Sequence, residues 1–96
     1  MEVLPFSHAW ISRSLAKKYP GCKCKLRDSI RKAGPVVTDN GNFILDVDFG
    51  VIEDPIQLER DLLSIPGLLE CGIFNKLATE IIIANVDQSI SHLSPI

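Results

Sequence analysis

The sequence predicts one small α+β domain in which two helices cover one face of a mainly antiparallel sheet. Three observations carry this prediction: two segments with a helical spacing of apolar residues, segments in which polar and apolar residues alternate, and an Asn-Gly pair between two β-rich runs. Their order along the 96 residues is strand, helix, strand, strand, helix, strand. This order matches the split βαβ, ferredoxin-like arrangement (βαββαβ), and one extra strand follows it toward the C-terminus.

The first helix is predicted to pack one of its faces on the sheet. A short extended piece at 2–5 stops at Pro5, and Ser7 is predicted to cap a helix over 8–19. Apolar residues recur in this helix at a spacing of four, at Ile11, Leu15 and Tyr19. Pro20-Gly21 then ends the helix.

The next two strands are predicted from alternation and from a turn. One side of the first strand carries Cys22, Cys24 and Leu26, and the other side carries Lys23, Lys25 and Arg27. Asn40-Gly41 lies between Val36-Val37 and the β-rich run 43–49. An Asn-Gly pair in this position predicts a hairpin whose turn has positive φ at both central residues.

The second half of the chain predicts a capped helix and two more strands. Asp54 is a helix cap and Pro55 suits the first turn of a helix that runs to about Ser64. This helix is predicted to bury a combination of Ile56, Leu58, Leu62 and Leu63. Strands follow at 68–74 and 80–84. The domain is therefore expected to span 1–85, with a flexible tail at 86–96.

Composition and charge exclude several classes of function. A formal net charge of −2 and an isoelectric point near 5.6 give no electrostatic reason to bind nucleic acid. The longest strongly apolar run, 81–84, is too short to span a membrane, and the N-terminal residues do not form a secretory signal. Three cysteines without disulfide-like spacing indicate reduced thiols and a cytoplasmic protein.

The charged residues form two local groups. The basic group is Lys17, Lys18, Lys23, Lys25, Arg27, Arg31 and Lys32, and the acidic group is Asp39, Asp46, Asp48, Glu53 and Asp54. The basic group is interpreted as a solvated helix end and strand face, with an anion-binding face as the alternative. The acidic group is interpreted as the solvated side of a strand together with turn residues, because short polar side chains favour turns.

The sequence predicts no catalytic, cofactor-binding or metal-binding residue. Cys22 and Cys24, with His8 or His92, resemble a metal site only weakly, since structural zinc sites use Cys-x2-Cys spacing and a second ligand pair. Packing of these cysteines near the core is the favoured interpretation. There is also no glycine-rich phosphate loop and no serine in a glycine-flanked elbow.

Five stretches of the sequence follow one another in the order found in a known enzyme family. They are Glu2-Val3-Leu4-Pro5, the segment 32–46 that contains Thr38-Asp39-Asn40-Gly41-Asn42, Asp54-Pro55-Ile56, the segment 65–74 that begins Ile65-Pro66-Gly67, and the segment 78–84. With little insertion between them, they resemble the C-terminal part of A-type ribose-5-phosphate isomerase. The resemblance identifies 1–85 as the C-terminal, ferredoxin-like domain of such an enzyme.

The resemblance implies an aldose–ketose isomerase of the pentose phosphate pathway that needs no cofactor. In that family a carboxylate base moves a proton between C1 and C2 of ribose 5-phosphate through an enediol, giving ribulose 5-phosphate. The family's base, phosphate loop, Asp-Gly-Ala-Asp-Glu segment and Lys-Gly-Gly-Gly segment lie in its N-terminal half, and none of these motifs occurs here. No catalytic or substrate-binding residue is therefore carried over to this chain.

The expected role is scaffold and subunit contact, without turnover by the chain alone. The expected partners are the catalytic half of the isomerase or a second copy, with no nucleic acid and no membrane. The isoleucines at 81–83 would have no sheet of a catalytic domain to join, so they are expected to expose an apolar edge, to pair with the small sheet or to dock on another subunit. Two alternatives stay open: a non-catalytic interaction or oligomerisation module, and a small-molecule-binding regulatory domain.

Overall fold

The computed structural model describes residues 1–94, which form a mixed α/β architecture with antiparallel sheets. In chain order the elements are β1 (Glu2–Val3), α1 (His8–Lys18), β2 (Lys23–Leu26), β3 (Phe43–Asp48), α2 (Pro55–Leu63), β4 (Leu68–Glu70), β5 (Ile81–Ala84) and β6 (Ile90–Leu93). Four strands form one sheet in the order β2-β3-β1-β4, and β5 and β6 form a second sheet. No helix in this part of the chain is long and apolar enough to cross a membrane.

β3 is a central strand of the larger sheet because it is paired on both of its sides. β2 runs antiparallel along it, from Lys23 opposite Asp48 to Leu26 opposite Leu45. The much shorter β1 pairs with the other side of β3, and β4 pairs with the far side of β1. The alternation in β3 directs Phe43, Leu45 and Val47 toward the core, and it places Ile44, Asp46 and Asp48 on the open face of the sheet.

The core lies between this sheet and the two helices. Its buried residues are Val3, Ile11, Leu15, Leu45, Leu58, Leu62, Leu68 and Cys71. The predicted helix face is confirmed for Ile11 and Leu15, which are fully buried. Tyr19, the third residue of that row, is the C-cap of α1, and its ring meets the ring of Phe49 edge to face at 5.3 Å between centroids.

The prediction that Ser7 caps α1 is only partly right: Ser7 is the N-cap residue, but its side chain makes no capping hydrogen bond. Pro5–Ser7 form a 3-10 turn that leads directly into α1, so Ser7 already has helical torsion angles, with φ −98° and ψ −8°. Its hydroxyl accepts no capping hydrogen bond. The backbone therefore turns into the helix through Pro5, whose fixed φ suits a first turn.

The prediction of a hairpin between Val36-Val37 and β3 is only partly right. A tight turn does occur: the Gly41 N–H donates to the Thr38 carbonyl at 2.9 Å, and the Thr38 N–H donates to the Asn42 carbonyl at 2.8 Å. Among the turn residues only Gly41 has positive φ, 78°, which gives a three-residue loop instead of the predicted two-residue turn. Val36-Val37 form no strand, because β2 occupies that edge of β3.

The prediction that Asp54 caps α2 is confirmed. Oδ1 of Asp54 accepts a hydrogen bond from the Gln57 N–H at 3.1 Å, and Pro55 is the first helical residue. Of the four candidate core residues of this helix, Leu58 and Leu62 are buried, whereas Ile56 and Leu63 are about two-fifths exposed.

Replacing Asp54 by alanine is expected to lower the free energy of unfolding by about 1 kcal/mol, because the first turn of α2 loses a hydrogen-bond acceptor. Urea denaturation followed by circular dichroism measures this loss. Glu53→Ala is the matched control: it removes the same charge one position earlier, where the carboxylate does not cap the helix. An equal loss in both variants would mean that charge, and not the cap, stabilises the helix.

The C-terminal strands differ from the prediction in length and number. β4 ends at Glu70 and not at Phe74, and β5 begins at Ile81. The sequence predicts no element in 86–96, but the structure forms β6 there, paired with β5. In β6 the polar pair Ser91-His92 separates Ile90 from Leu93, so the segment lacks the alternation that predicts a strand.

Candidate interface

The β5–β6 hairpin, here called the docking hairpin (residues 81–93), stands apart from the four-stranded sheet. Its two strands pair with each other, from Ile81 opposite Leu93 to Ala84 opposite Ile90, and with no other strand of the described residues. Both edges of the hairpin are therefore unpaired in this part of the chain. The molecule is also more extended than a compact domain: its Cα radius of gyration is 16.0 Å, against roughly 13 Å for a compact domain of about 100 residues.

Both faces of the docking hairpin are apolar. Residues directly opposite each other share a face, so Ile81, Ile83 and Leu93 lie on one side and Ile82, Ala84 and Ile90 on the other. The five large members of this set are exposed by 38 to 63%. Strands with apolar side chains on both faces are typical of sheets covered on both sides, and a two-stranded hairpin is marginally stable alone.

The turn of the docking hairpin is held by its own hydrogen bonds. The Asn85 N–H donates to the Ser89 carbonyl at 2.8 Å, and the Asn85 side-chain amide donates to Ser91 Oγ at 2.8 Å. Asp87 accepts from the hydroxyl and the backbone N–H of Ser89, and these two hydrogen bonds lower the pKa of its carboxyl group. Gln88 has φ +70°. The shape of the turn is thus set locally, before any partner is bound.

Further exposed apolar residues lie close to the hairpin in the sequence. Phe74 and Leu77, in the link that follows β4, are exposed by 76 and 74%, and Val86 at the hairpin tip is fully exposed. At the base of the hairpin, His92 Nδ1 lies 2.7 Å from Glu80 Oε1. The segment 74–93 therefore presents apolar side chains along most of its length, a pattern that is typical of interaction surfaces.

The weak metal candidates of the sequence are not brought together. His8 packs on Phe43 with 5.7 Å between ring centroids, while His92 lies on the docking hairpin. Within residues 1–94 no group of three or more His, Cys, Asp or Glu side chains could hold a metal ion. Burial, with a further contribution from the neighbouring Cys22, raises the pKa of Cys24 to about 11, so this thiol stays protonated at neutral pH.

The predicted basic and acidic groups meet across β2 and β3. Arg27 Nε and Nη2 donate to the two carboxylate oxygens of Asp46 at 2.9 and 2.5 Å, and these hydrogen bonds lower the pKa of Asp46. Lys25 and Lys23 lie opposite Asp46 and Asp48. These side chains are solvent-exposed, so opposite charges neutralise one another on the open face of the sheet.

One polar cluster has no counterpart in the sequence prediction. Glu2 Oε2 accepts hydrogen bonds from Thr38 Oγ1 at 2.6 Å and from the Asn42 side-chain amide at 3.0 Å, and both lower the pKa of Glu2. Asn42 is buried. The cluster ties β1 to the turn before β3, which is a structural role. Its members lie 36 and 40 positions apart in the chain, so no local pattern signals it.

The fold and the candidate interface define a small mixed α/β domain: a body, residues 1–73, that has its own core, and an apolar hairpin whose residues lie outside that core. Residues 1–88 match the family model of ribose 5-phosphate isomerase A (phosphoriboisomerase A). The chain therefore belongs to the ribose 5-phosphate isomerase A family.

Known relatives are longer than this chain. It is 46% identical over 95 residues to ribose-5-phosphate isomerase A of Archaeoglobus fulgidus, covering 97% of this chain and 41% of that protein. It is 48% identical over 90 residues to ribose-5-phosphate isomerase A of Methanosarcina acetivorans, and the match covers 94% of this chain and 37% of that protein. The chain thus spans about two-fifths of the length of the curated relatives that it matches.

Solved structures show the same relation. A D-ribose-5-phosphate isomerase in complex with phospho-erythronic acid superposes with a TM-score of 0.89 at 38% identity, covering 98% of this chain and 40% of that one. Ribose 5-phosphate isomerase A of Methanocaldococcus jannaschii superposes with a TM-score of 0.84 at 37% identity, with the same coverage. The similarity extends over the docking hairpin, because it covers nearly the whole of this chain.

Proposed function

We propose that this chain is the C-terminal portion of a cytoplasmic ribose-5-phosphate isomerase and that it supplies scaffold and subunit contacts to a catalytic portion. The observation that carries the proposal is the docking hairpin, whose apolar faces are both exposed. The reaction of the complete enzyme interconverts ribose 5-phosphate and ribulose 5-phosphate in the pentose phosphate pathway. The chain alone does not catalyse it.

The carboxylates of the body support a structural role. An isomerase base must lie within hydrogen-bond reach of the proton that it removes, beside groups that hold the sugar phosphate. Here Asp46 is paired with Arg27 on an open sheet face. Glu2 is held by two neighbouring side chains, and Asp54 caps α2. These three carboxylates therefore make contacts that stabilise the fold.

The four-stranded unit provides the scaffold. We infer a ferredoxin-like arrangement for it, supported by the strand order β2-β3-β1-β4, by antiparallel pairing throughout and by a helix between β1 and β2 and between β3 and β4. Among residues 1–94 the buried core residues all lie between Val3 and Cys71, so this core does not include the hairpin. The body can thus fold first and present the hairpin to the catalytic portion.

The docking hairpin offers two kinds of contact to the catalytic portion. Its free edges can extend an open sheet by backbone hydrogen bonds, as in recognition by strand addition. Its apolar faces can then be covered by layers on either side of that sheet. Free thiols at Cys22, Cys24 and Cys71 support a reducing, cytoplasmic location.

Isomerase assays of two proteins test the proposal. The first is this chain alone, for which we expect no activity above a mock preparation. The second is a chimera in which this chain replaces the matching segment of the A. fulgidus enzyme, for which we expect turnover within about tenfold of that enzyme, or a loss of about 1.4 kcal/mol in transition-state stabilisation. The chimera avoids the problem that an isolated catalytic portion could fail to fold.

Two results would contradict the proposal. Turnover by the chain alone would show that its own residues supply the base and the phosphate site. A chimera that is folded by circular dichroism and binds substrate, but does not turn over, would show that this chain cannot stand in for the matching segment. The parent enzyme with its own segment excised and religated serves as the control for the cloning junctions.

Self-association is a second candidate, favoured by the two unpaired edges of the same hairpin. It predicts a mass above that of the monomer, 10.6 kDa, in light scattering at high protein concentration. An Ile82→Lys variant, which places a charge on one apolar face, would then return to the monomer mass. A wild-type chain that stays monomeric at all concentrations would leave the catalytic portion as the partner.

A further inference from the structure

A cleft of about 450 Å³ lies where the end of α1, the loop between β3 and α2, and one face of α2 meet. Its volume falls within the range of ligand pockets, about 300–1,000 Å³. All of its lining residues lie between Lys18 and Asp61, so the cleft belongs to the body and not to the docking hairpin. The contacts proposed for the hairpin therefore leave this cleft without a role.

The middle of the cleft is apolar. Leu58 of α2 lines it and is only 8% exposed. The rings of Tyr19 and Phe49, which meet edge to face, line it as well. Val51 and Ile52, in the loop after β3, are exposed apolar residues of the same lining. A hydrocarbon chain placed here would be removed from water on several sides, which is typical of ligand pockets.

Carboxylates lie at both ends of the α2 face that lines the cleft. Asp54, Gln57, Leu58 and Asp61 follow the spacing i, i+3, i+4, i+7, so they share one face of the helix. Seven residues of helix place Asp54 and Asp61 about 10 Å apart along the axis. Glu53 adds a third carboxylate beside Asp54. The lining is thus acidic at two separate places with an apolar stretch between them.

The negative charge of the cleft is not neutralised within residues 1–94. Lys18, the one basic residue in the lining, forms no ion pair there, and its Nζ lies 5.7 Å from the ring centroid of Tyr19. Asp61 accepts hydrogen bonds from neutral groups, from Gln57 Nε2 at 2.8 Å and from the Tyr19 hydroxyl at 3.5 Å. Three carboxylates and one ammonium group leave an excess of two negative charges in the lining.

We propose that this cleft binds a linear alkyl diamine with both amines protonated. One ammonium group lies beside Glu53 and Asp54, the other beside Asp61, and the alkyl chain crosses the apolar middle. Each ammonium donates to a carboxylate across about 3 Å, so a chain of about four to six methylene groups fits between the two acidic ends. A bare metal ion is a poor match, because no group of three or more His, Cys, Asp or Glu side chains in residues 1–94 could hold one.

Titration of the 15N-labelled chain with three molecules of equal length tests the proposal: 1,5-diaminopentane, pentylamine and 1,5-pentanediol. We expect the diamine to shift the amide resonances of Gln57 and Leu58 and to bind at least about threefold tighter than pentylamine, because it makes one more partly exposed ion pair. The uncharged diol should bind more weakly than either amine. Equal affinities for diamine and monoamine, or resonance shifts outside the cleft alone, would overturn the proposal.

Three variants show whether the acidic ends carry the binding. Asp61→Asn should weaken diamine binding about threefold or more, whereas Lys18→Met should tighten it by a similar factor because a like charge is removed. Asp39→Asn is the matched control, since Asp39 is exposed and does not line the cleft. Equal losses for Asp61→Asn and Asp39→Asn, or weaker binding by Lys18→Met, would overturn the proposal. Lys18 is exposed and outside the core, so its variant decides the question even where Asp61→Asn fails to fold.

Discussion

Replacing Gly67 by alanine is expected to lower the free energy of unfolding by about 3 kcal/mol, which is a large part of the stability of a domain of this size. Gly67 has φ +89°, and a β-carbon there would lie 2.8 Å from both Cβ and Oγ of Ser7 and 3.4 Å from Cδ1 of Ile11. The Gly67 carbonyl accepts a hydrogen bond from the Leu4 N–H at 2.8 Å. To relieve the contact with Ser7, the loop that contains Gly67 would have to move away. That movement would break the hydrogen bond to Leu4 and expose the start of α1.

Two contributions make up the expected loss. A non-glycine residue in the left-handed region costs about 1–2 kcal/mol, and an extra methyl group forced against packed atoms costs about 1–3 kcal/mol. Gly21→Ala separates them: Gly21 has φ +90°, but a β-carbon there would meet no atom within 4 Å. The control should thus lose only the backbone contribution. Urea denaturation measures both variants, and equal losses would mean that the contact with Ser7 is not a constraint.

Local patterns in the sequence were sufficient for the helices. Asp54 and Pro55 specify the start of α2 through contacts within one turn, and the spacing of Ile11 and Leu15 specifies the buried side of α1. The N-cap position of α1 was predicted correctly at Ser7, but the 3-10 turn at Pro5–Ser7 that leads into the helix was not predicted, and the hydroxyl of Ser7 makes no capping hydrogen bond. In both helices the residues that determine the start or the buried face lie within a few positions of that feature, so the sequence alone is enough to predict it.

Pairing between strands could not be read in the same way. The alternation in β3 shows that the segment is a strand, but not that β2, twenty positions away, is its partner. The contact of Glu2 with Thr38 and Asn42 depends on that pairing. β6 is likewise recognisable only from its pairing with β5. For the apolar run at 81–83 the sequence left open an exposed apolar edge, pairing with the small sheet or docking on another subunit. The structure shows exposed isoleucines that pair with β6 and not with the four-stranded sheet, while docking on another subunit stays a prediction.

In the chimera with the A. fulgidus enzyme, replacing Ile82 by lysine is expected to lower isomerase turnover by about 100-fold or more, measured at equal protein concentration. An unpaired charge placed between apolar layers costs several kcal/mol, and each 1.4 kcal/mol is a factor of ten in affinity. The stability of this chain alone should change by less than about 0.5 kcal/mol, because Ile82 is 63% exposed and outside the core. Val86→Lys, at the fully exposed hairpin tip, is the matched control and should leave the turnover of the chimera unchanged.

A companion substitution on the other face decides how the hairpin is bound. Ile83 shares its face with Ile81 and Leu93, opposite to the face of Ile82. If the hairpin is inserted between two layers, Ile83→Lys should lower the turnover of the chimera as strongly as Ile82→Lys. If the hairpin only lies on the surface of the catalytic portion, one face stays in water and a lysine there is tolerated. Equal sensitivity of the two faces therefore requires a partner that covers the hairpin on both sides, which is the arrangement that its two-faced composition predicts.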